Sequence, residues 1–472
     1  MSKFFRKLAI SVLSATILLI PNSALAAVQT NTVETDEMSI QAYLIENYGY
    51  EFVENYNLSL EMVSELYDLF PTNRMGEVIY PAYFGGLYID DNGELVILQL
   101  DDNETITDFE EALIQAAEFS YAELVAVMDF LDGTLQNSLW TERLLSLANT
   151  WALDIVNNRV VVGLVDYSPA EIERFQQTIL NSRMITFEQS DIVDSGVPFE
   201  QQWFFGVNVP NPPTSPRPAP VGTTIRTGDR IFGYRPGVGY IGGLSAGYRA
   251  LNSMGQLGFV TVAHALEGGF RIGDIVTNYN GTRLGVIQRA QLPGVDASFV
   301  VLDPGVSITS RTNLAAGGNY NGVVGQRIRT YGATSGASRT GTILTERMSA
   351  VMSVGLFNPN GTVIITDAIR ATGLGQAGDS GGVVYTIDAA GNVTGTAGIH
   401  LGIVVYSIIS RADAINSTFN LRLVQGGEPS PPPPPSAPVP PVPGVPPVPG
   451  VPPIPGVPGV PPVPGVPPIP GR

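Results

Sequence analysis

The chain has 472 residues, enough for two to four domains, with no cysteine and only two histidines, at 264 and 400. That composition leaves no disulfides or thiolate ligands and no convincing metal centre; no glycine-rich phosphate loop or basic aromatic nucleic-acid patch is present either. The net charge of −18 is unevenly spread: 32 acidic residues and six arginines lie between 27 and 219, against 11 acids and 15 arginines between 220 and 428.

Lys3, Arg6 and Lys7 precede the apolar run Leu8 to Ile20, and small residues follow through Ala27. This pattern predicts a signal peptide over 1–26, cut after Ala26, because the run is too short for a membrane anchor. No later stretch is long enough to span a bilayer. The chain is therefore expected outside the cell, where it does without disulfides because its size allows a sufficient core.

Residues 27–205 read as an acidic α+β unit. Tyr83 to Ile89 and Glu94 to Leu100 flank Asp90-Asp91-Asn92-Gly93, a hairpin signal. Ser120 with Glu123 forms a capping-box pattern opening a helix through Phe130. A second hairpin is expected from Ala152 to Val156 and Val160 to Val165 around Asn157-Asn158. Ser168, Pro169 and Glu171 then start another helix. Complementary fields suggest that this acidic unit docks on the basic half that follows.

Residues 206–227 read as a proline-rich, exposed linker. From 228 to 425 short β-branched runs alternate with glycine: Arg271 to Val276, Arg283 to Gln288, Gly325 to Thr330, Thr340 to Thr345, Thr362 to Ile369, Gly382 to Ile387 and Gly395 to Val405. Helical periodicity is nearly absent until Ser410 to Leu423. The last segment, 426–472, is a disordered Pro/Gly/Val tail repeating Gly-Val-Pro-Pro-(Val/Ile)-Pro. Its glycines at 444, 450, 456, 459, 465 and 471 share one face of a polyproline II helix. It suits a stiff spacer, or a stalk contacting a cell wall or partner.

Three stretches of the 228–425 region carry chemistry together. Gly378-Asp379-Ser380-Gly381-Gly382 places a hydroxyl in a tight turn, where the N–H groups of Gly378 and Ser380 can converge on one oxyanion. Thr261-Val262-Ala263-His264 ends an apolar strand on a histidine, and Val295-Asp296-Ala297-Ser298 opens one with an acid. A serine needs a base within reach, and a buried acid needs a partner.

The order His264, Asp296, Ser380 resembles that of trypsin/chymotrypsin-like serine proteases, in the bacterial streptogrisin/alpha-lytic protease branch. Arg329-Thr330-Tyr331-Gly332-Ala333-Thr334-Ser335-Gly336 adds to the likeness. The resemblance implies an all-β catalytic domain of two antiparallel six-stranded β-barrels, chymotrypsin-like, with the triad between them. It implies a secreted bacterial zymogen whose 27–205 prosegment assists folding and inhibits, with maturation cleavage between about 200 and 228. It further implies an ion pair between Asp379 and Arg329, and a substrate pocket using His400, Leu401, Gly402 and Ala377. The run Gly398-Ile399-His400-Leu401-Gly402 is similar to that of glutamyl endopeptidases, which implies a preference for Glu at the cleaved bond. No cofactor is implied; protein and peptide substrates and the chain's own prosegment are the expected partners, and nucleic acid is not. The lack of cysteine departs from the streptogrisins. The competing reading is a non-catalytic surface protein using the same fold and a proline-rich stalk for adhesion.

Overall fold

The computed structural model describes residues 40–73, 78–100, 109, 111–135, 138–190, 215–264, 270–311, 322–336, 339–353, 362–376, 378–403 and 406–424. The leader expected at 1–26, the tail at 426–472 and Ala377 lie outside the described residues.

Helices α1 (Ile40–Tyr48) and α2 (Tyr50–Leu69) come first. Strands β1 (Phe84–Ile89), β2 (Leu95–Leu100) and β3 (Leu113–Ala117) form a three-stranded sheet with β2 central. The β1–β2 turn is the one the sequence suggests: Asp90 Oδ1 accepts from the amides of Asn92 and Glu94 at 2.8 and 2.9 Å. Gly93 there has φ +80°, and a Cβ on it would lie 2.6 Å from the Phe52 carbonyl of α2. Glycine thus serves both the turn and the close approach of the helix.

Helix α3 (Tyr121–Thr134) begins on a complete capping box of Ser120 and Glu123 and runs past the expected end. After α4 (Ser138–Leu145) come β4 (Ala148–Asp154) and β5 (Arg159–Leu164), the second expected hairpin. Helix α5 (Pro169–Thr178) starts at Ser168, whose hydroxyl accepts from the Glu171 amide at 3.4 Å, and β6 (Ile185–Gln189) lies parallel to β5.

The next strands are β7 (Thr223–Arg226), β8 (Arg230–Arg235), β9 (Gly239–Ser245), β10 (Arg249–Leu251), β11 (Leu257–Thr261), β12 (Ile275–Asn278), β13 (Arg283–Gln291), β14 (Ala297–Leu302) and β15 (Val306–Thr309). Strands β16 (Arg327–Tyr331), β17 (Arg339–Ser353), β18 (Thr362–Ala371), β19 (Val383–Ile387), β20 (Val393–Ile403) and β21 (Ser407–Arg411) follow, then α6 (Ala412–Phe419) and β22 (Arg422–Leu423). The linker expectation for 206–227 needs correcting from residue 215 onward. β7 pairs in parallel with β15, and Arg217 bonds through its amide to Gly281, so backbone pairing builds this stretch into the fold. The helix expected over 410–423 shrinks to α6 because Ser407–Arg411 is taken as a strand between β18 and β20.

One sheet has the order β22-β10-β11-β14-β13-β12-β8-β9. The other runs β16-β19-β20-β21-β18-β17-β4-β5-β6; β16 also pairs with β17, so its first six strands return on themselves. A common core fills the space between the sheets, with Phe259, Phe299, Val300, Ile399, Leu401 and Ile408 all buried. The N-terminal region has two cores of its own. One gathers α1, α2 and β1, including Phe52, Tyr56 and Phe84, with Val323 and Ala389 completing it. The second gathers α3, β4 and β5 around Trp151 and Phe175, with Val324 and Val351 from the later half.

Candidate active site

Asp296 and His264 meet where two neighbouring strands of the first sheet end and begin. β11 stops at Thr261, three residues before His264, and β14 starts one residue after Asp296; the two strands pair as Thr261 with Ser298. The imidazole Nδ1 lies 2.6 Å from Asp296 Oδ2. Asp296 Oδ1 accepts from the amides of Ala263 and His264, both at 2.9 Å. Both side chains are about 5% exposed, so the pair is shielded from water. Asp296 has φ +39°, a left-handed conformation that costs a non-glycine residue energy. The surrounding bonds hold it: the Gly294 amide donates to Ile364, and Ser410 donates its hydroxyl to the Val295 carbonyl.

Ser380 sits just before β19, with its carbonyl accepting from the Ser245 amide at 2.8 Å. The strand that leads to His264 abuts this loop, since a Cβ on Gly381 would lie 2.3 Å from Thr261 Oγ1. The Ser380 hydroxyl donates to the Leu401 carbonyl at 2.9 Å. Its single proton is therefore committed to β20. Gly378 has φ +92°, and a side chain there would meet Thr334 Oγ1 at 2.3 Å. Among the described residues, neither the Gly378 nor the Ser380 amide has a hydrogen-bond acceptor.

The expected ion pair between Asp379 and Arg329 is not what the structure shows. The Asp379 carboxylate is fully buried and accepts from the amides of Thr334, Ser335 and Gln376 at 2.8, 2.9 and 3.0 Å, and from the Ser335 hydroxyl. Converging amides satisfy an anion as a cation would. Arg329 instead directs Nη1 to the Tyr331 hydroxyl at 3.3 Å. Arg230, from β8, reaches the same turn, donating to Ala333 O and Thr334 Oγ1 at 3.2 and 2.9 Å.

His400 lies in β20, one residue before Leu401, and is 1% exposed. Among the described residues, neither ring nitrogen has a hydrogen-bond partner. Its ring fills the space beside Gly375, where a Cβ would lie 2.5 Å from Cε1. Burial pushes its pKa down to about 4, with the Asp379 charge opposing and His264 adding to the fall, so the ring is neutral at pH 7. Leu401 and Gly402 line the same strand and are buried. The sequence reading missed Ser245 and Arg230; only their neighbours in space mark them, and no spacing along the chain does so.

Residues 35–120 match the family model of the Pro-like N-terminal domain, and residues 122–190 that of the Pro-like C-terminal domain. No curated protein matches the chain. Among solved structures it is similar to Nocardiopsis protease (NAPase), at 27% identity over 43% of this chain and 100% of that chain, with a TM-score of 0.33. It is similar to Thermobifida fusca protease A at 21% identity, covering 43% and 100%, TM-score 0.34. A third structure is described as a glutamic acid specific serine protease that uses a histidine triad in substrate binding; identity is 20%, coverage 42% and 100%, and the TM-score 0.32. The resemblance to a streptogrisin/alpha-lytic-type protease preceded by a prosegment thus extends to the N-terminal half.

Proposed function

We propose that this chain is a secreted serine endopeptidase made as a precursor, with His264, Asp296 and Ser380 acting between the eight-stranded sheet and the six strands that close on themselves, in place of the two six-stranded barrels expected. The observation that carries the reading is the shielded His264–Asp296 pair at the end of β11, the strand that also lays Thr261 against the serine loop. Ser380 Oγ attacks the substrate carbonyl carbon while its proton passes to His264 Nε2. The oxyanion formed is held by the free amides of Gly378 and Ser380, donors worth about a hundredfold or more each. Collapse breaks the C–N bond, and His264 delivers the proton to the departing amine. Water, deprotonated by His264, then releases the acid and restores Ser380. Asp296 keeps the imidazole in the tautomer and orientation these transfers need.

In this structure the Ser380 hydroxyl donates its hydrogen bond to the Leu401 carbonyl. Attack requires it to turn to His264, a step the reading assigns to loss of the Pro-like domains after cleavage between about 200 and 215. The 1–26 leader would export the chain, and the 426–472 tail would act as a spacer. Labelling of the secreted protein by a fluorophosphonate, absent in Ser380→Ala, tests the assignment; equal labelling of that variant would discard it.

A preference for glutamate deepens the reading. His400 is buried and neutral, packed against Gly375, and among the described residues its ring nitrogens have no hydrogen-bond partner. A carboxylate entering there would raise its pKa and draw a proton onto the ring. Cleavage of a peptide library is expected to favour Glu before the cut, with KM for Glu rising as pH increases. Equal turnover of Leu or Phe at that position would exclude the preference.

A further inference from the structure

Ser245, the last residue of β9, is fully buried and divides its polar atoms between the loops around Ser380 and strand β11. Its amide donates to the Ser380 carbonyl at 2.8 Å. Its hydroxyl donates to the Gly378 carbonyl at 3.2 Å and accepts from the Ala333 amide at 2.9 Å. Its own carbonyl accepts from Thr261 Oγ1 at 2.9 Å. One residue of the first sheet thus holds both carbonyls that flank Asp379, the turn that caps the Asp379 carboxylate, and the strand that leads to His264. Its partner across the β8–β9 ladder, Arg230, bonds the same turn at Ala333 and Thr334.

A peptide segment gripped at two carbonyls, with the side chain between them tied down by three amides, has little freedom left. The amides of Gly378 and Ser380 are among the groups of this loop that remain without acceptors among the described residues. Donors aimed in advance stabilise a developing anion without reorganisation cost, and that advantage is lost if the loop can rotate. Gly378 is the weak point because its φ of +92° lies where glycine moves easily.

We propose that Ser245 is a positioning residue: by holding the Gly378 carbonyl and the 332–335 turn through its hydroxyl, it keeps the oxyanion donors aimed at one point. The inference rests on the peptidase reading above. Ser245→Ala keeps the two backbone bonds and removes both hydroxyl bonds. In the matured enzyme, produced from the full chain and counted by fluorophosphonate titration, kcat should fall about tenfold to a hundredfold with KM nearly unchanged. Affinity for a peptide boronate, whose tetrahedral adduct fills the oxyanion site, should weaken by the same factor as kcat/KM. Ser245→Cys, nearly the same size with a weaker donor, should fall between, and it carries the test alone if the alanine variant is not secreted. Unchanged kcat and boronate affinity would overturn the proposal, as would a loss confined to KM or one that boronate affinity does not follow. A wild-type protein that neither labels nor cleaves would overturn the peptidase reading itself, a different outcome from an active enzyme indifferent to Ser245.

Discussion

The two Pro-like regions grip the rest of the molecule by different physics. The first uses aromatic rings and backbone. Tyr56, fully buried, accepts from the Arg327 amide at 2.8 Å and donates to the Ile387 carbonyl at 2.9 Å. Arg327 lies over the rings of Tyr48 and Phe52 at 4.6 and 5.7 Å. Asn57 accepts from the Ala389 amide, and the Ile89 amide donates to Val324. The second extends a sheet: β4 pairs with β17 as Thr150, Trp151 and Ala152 opposite Ala350, Ser349 and Met348. Charges accompany that seam. Arg347 lies 2.7 Å from Asp129, 3.6 Å from Asp132 and 2.8 Å from Asp367, while Tyr121 donates to the buried Glu346 at 2.7 Å. The complementary overall charges suggested broad electrostatic docking; among the described residues the ion pairs crossing between the halves gather at Arg347. One seam therefore contains buried carboxyls and a cation, and the other is held by rings, a phenol and backbone hydrogen bonds.

The comparison breaks most decisively if the later half needs neither region. A chain beginning near residue 215 should show little activity, restored when residues 27–205 are supplied separately during refolding. Full activity without them would remove the folding role. Next in size is Arg347→Ala, which strips the cation from Asp132, a carboxylate only 16% exposed in its side chain. Breaking a buried pair on one side typically costs about 3–5 kcal/mol. In the Ser380→Ala precursor, amides 348–350 should then exchange hydrogen at least a hundredfold faster, with the Arg327 amide little affected. Uniform acceleration at both seams would show that the two regions dock as one unit.

The sequence announced these seams unequally. Its hairpins and caps were legible because turn and cap chemistry is local: Asp90, Gly93, Ser120 and Ser168 act within a few residues of themselves. Helix α2, which carries Tyr56, was missed although Phe52, Val53, Tyr56, Ser59, Met62, Val63 and Leu66 bury one face at helical spacing. Exposed Glu and Asn between them dilute the pattern, yet the spacing of three and four was there to count. Asp379 failed for a different reason. Every partner of its carboxylate but one hydroxyl is a backbone amide, and backbone donors leave no mark on the residue string. The His264–Asp296 contact was legible because strand ends and residue types together leave few alternatives for a buried acid and a lone imidazole.

Tyr56→Phe sharpens the first seam. It removes the acceptor of a buried amide and the donor to Ile387 while keeping the ring, a loss of about 1–3 kcal/mol. Exchange at the Arg327 amide should rise roughly tenfold to a hundredfold by that cost, and amides 348–350 should not follow. Equal protection in both proteins would mean that the rings alone hold α2.

The smallest effect is the one with a sign. Burial raises the pKa of Glu346 above the ordinary carboxylate value, outweighing the Tyr121 hydrogen bond and the nearby Arg411 and Arg347 charges; Asp413 adds to the rise. Burial raises Asp132 likewise, against its bonds from Ser349 and Trp151. Both groups hold their protons more tightly docked than exposed. The contribution to docking is therefore fully present below the ordinary carboxylate pKa and is lost as pH rises through the raised values. Protection of amides 348–350 should decline across that window, after correction for intrinsic exchange rates. The Arg327 amide should stay flat, because Tyr56 holds its proton far into the alkaline range: burial lifts its pKa well beyond that of a free phenol. Glu346→Gln keeps the size and can still accept from Tyr121, but it cannot ionise. It should flatten most of the decline, leaving the part owed to Asp132. A slope of opposite sign, or one unchanged in Glu346→Gln, would remove these carboxyls from the seam's response to pH.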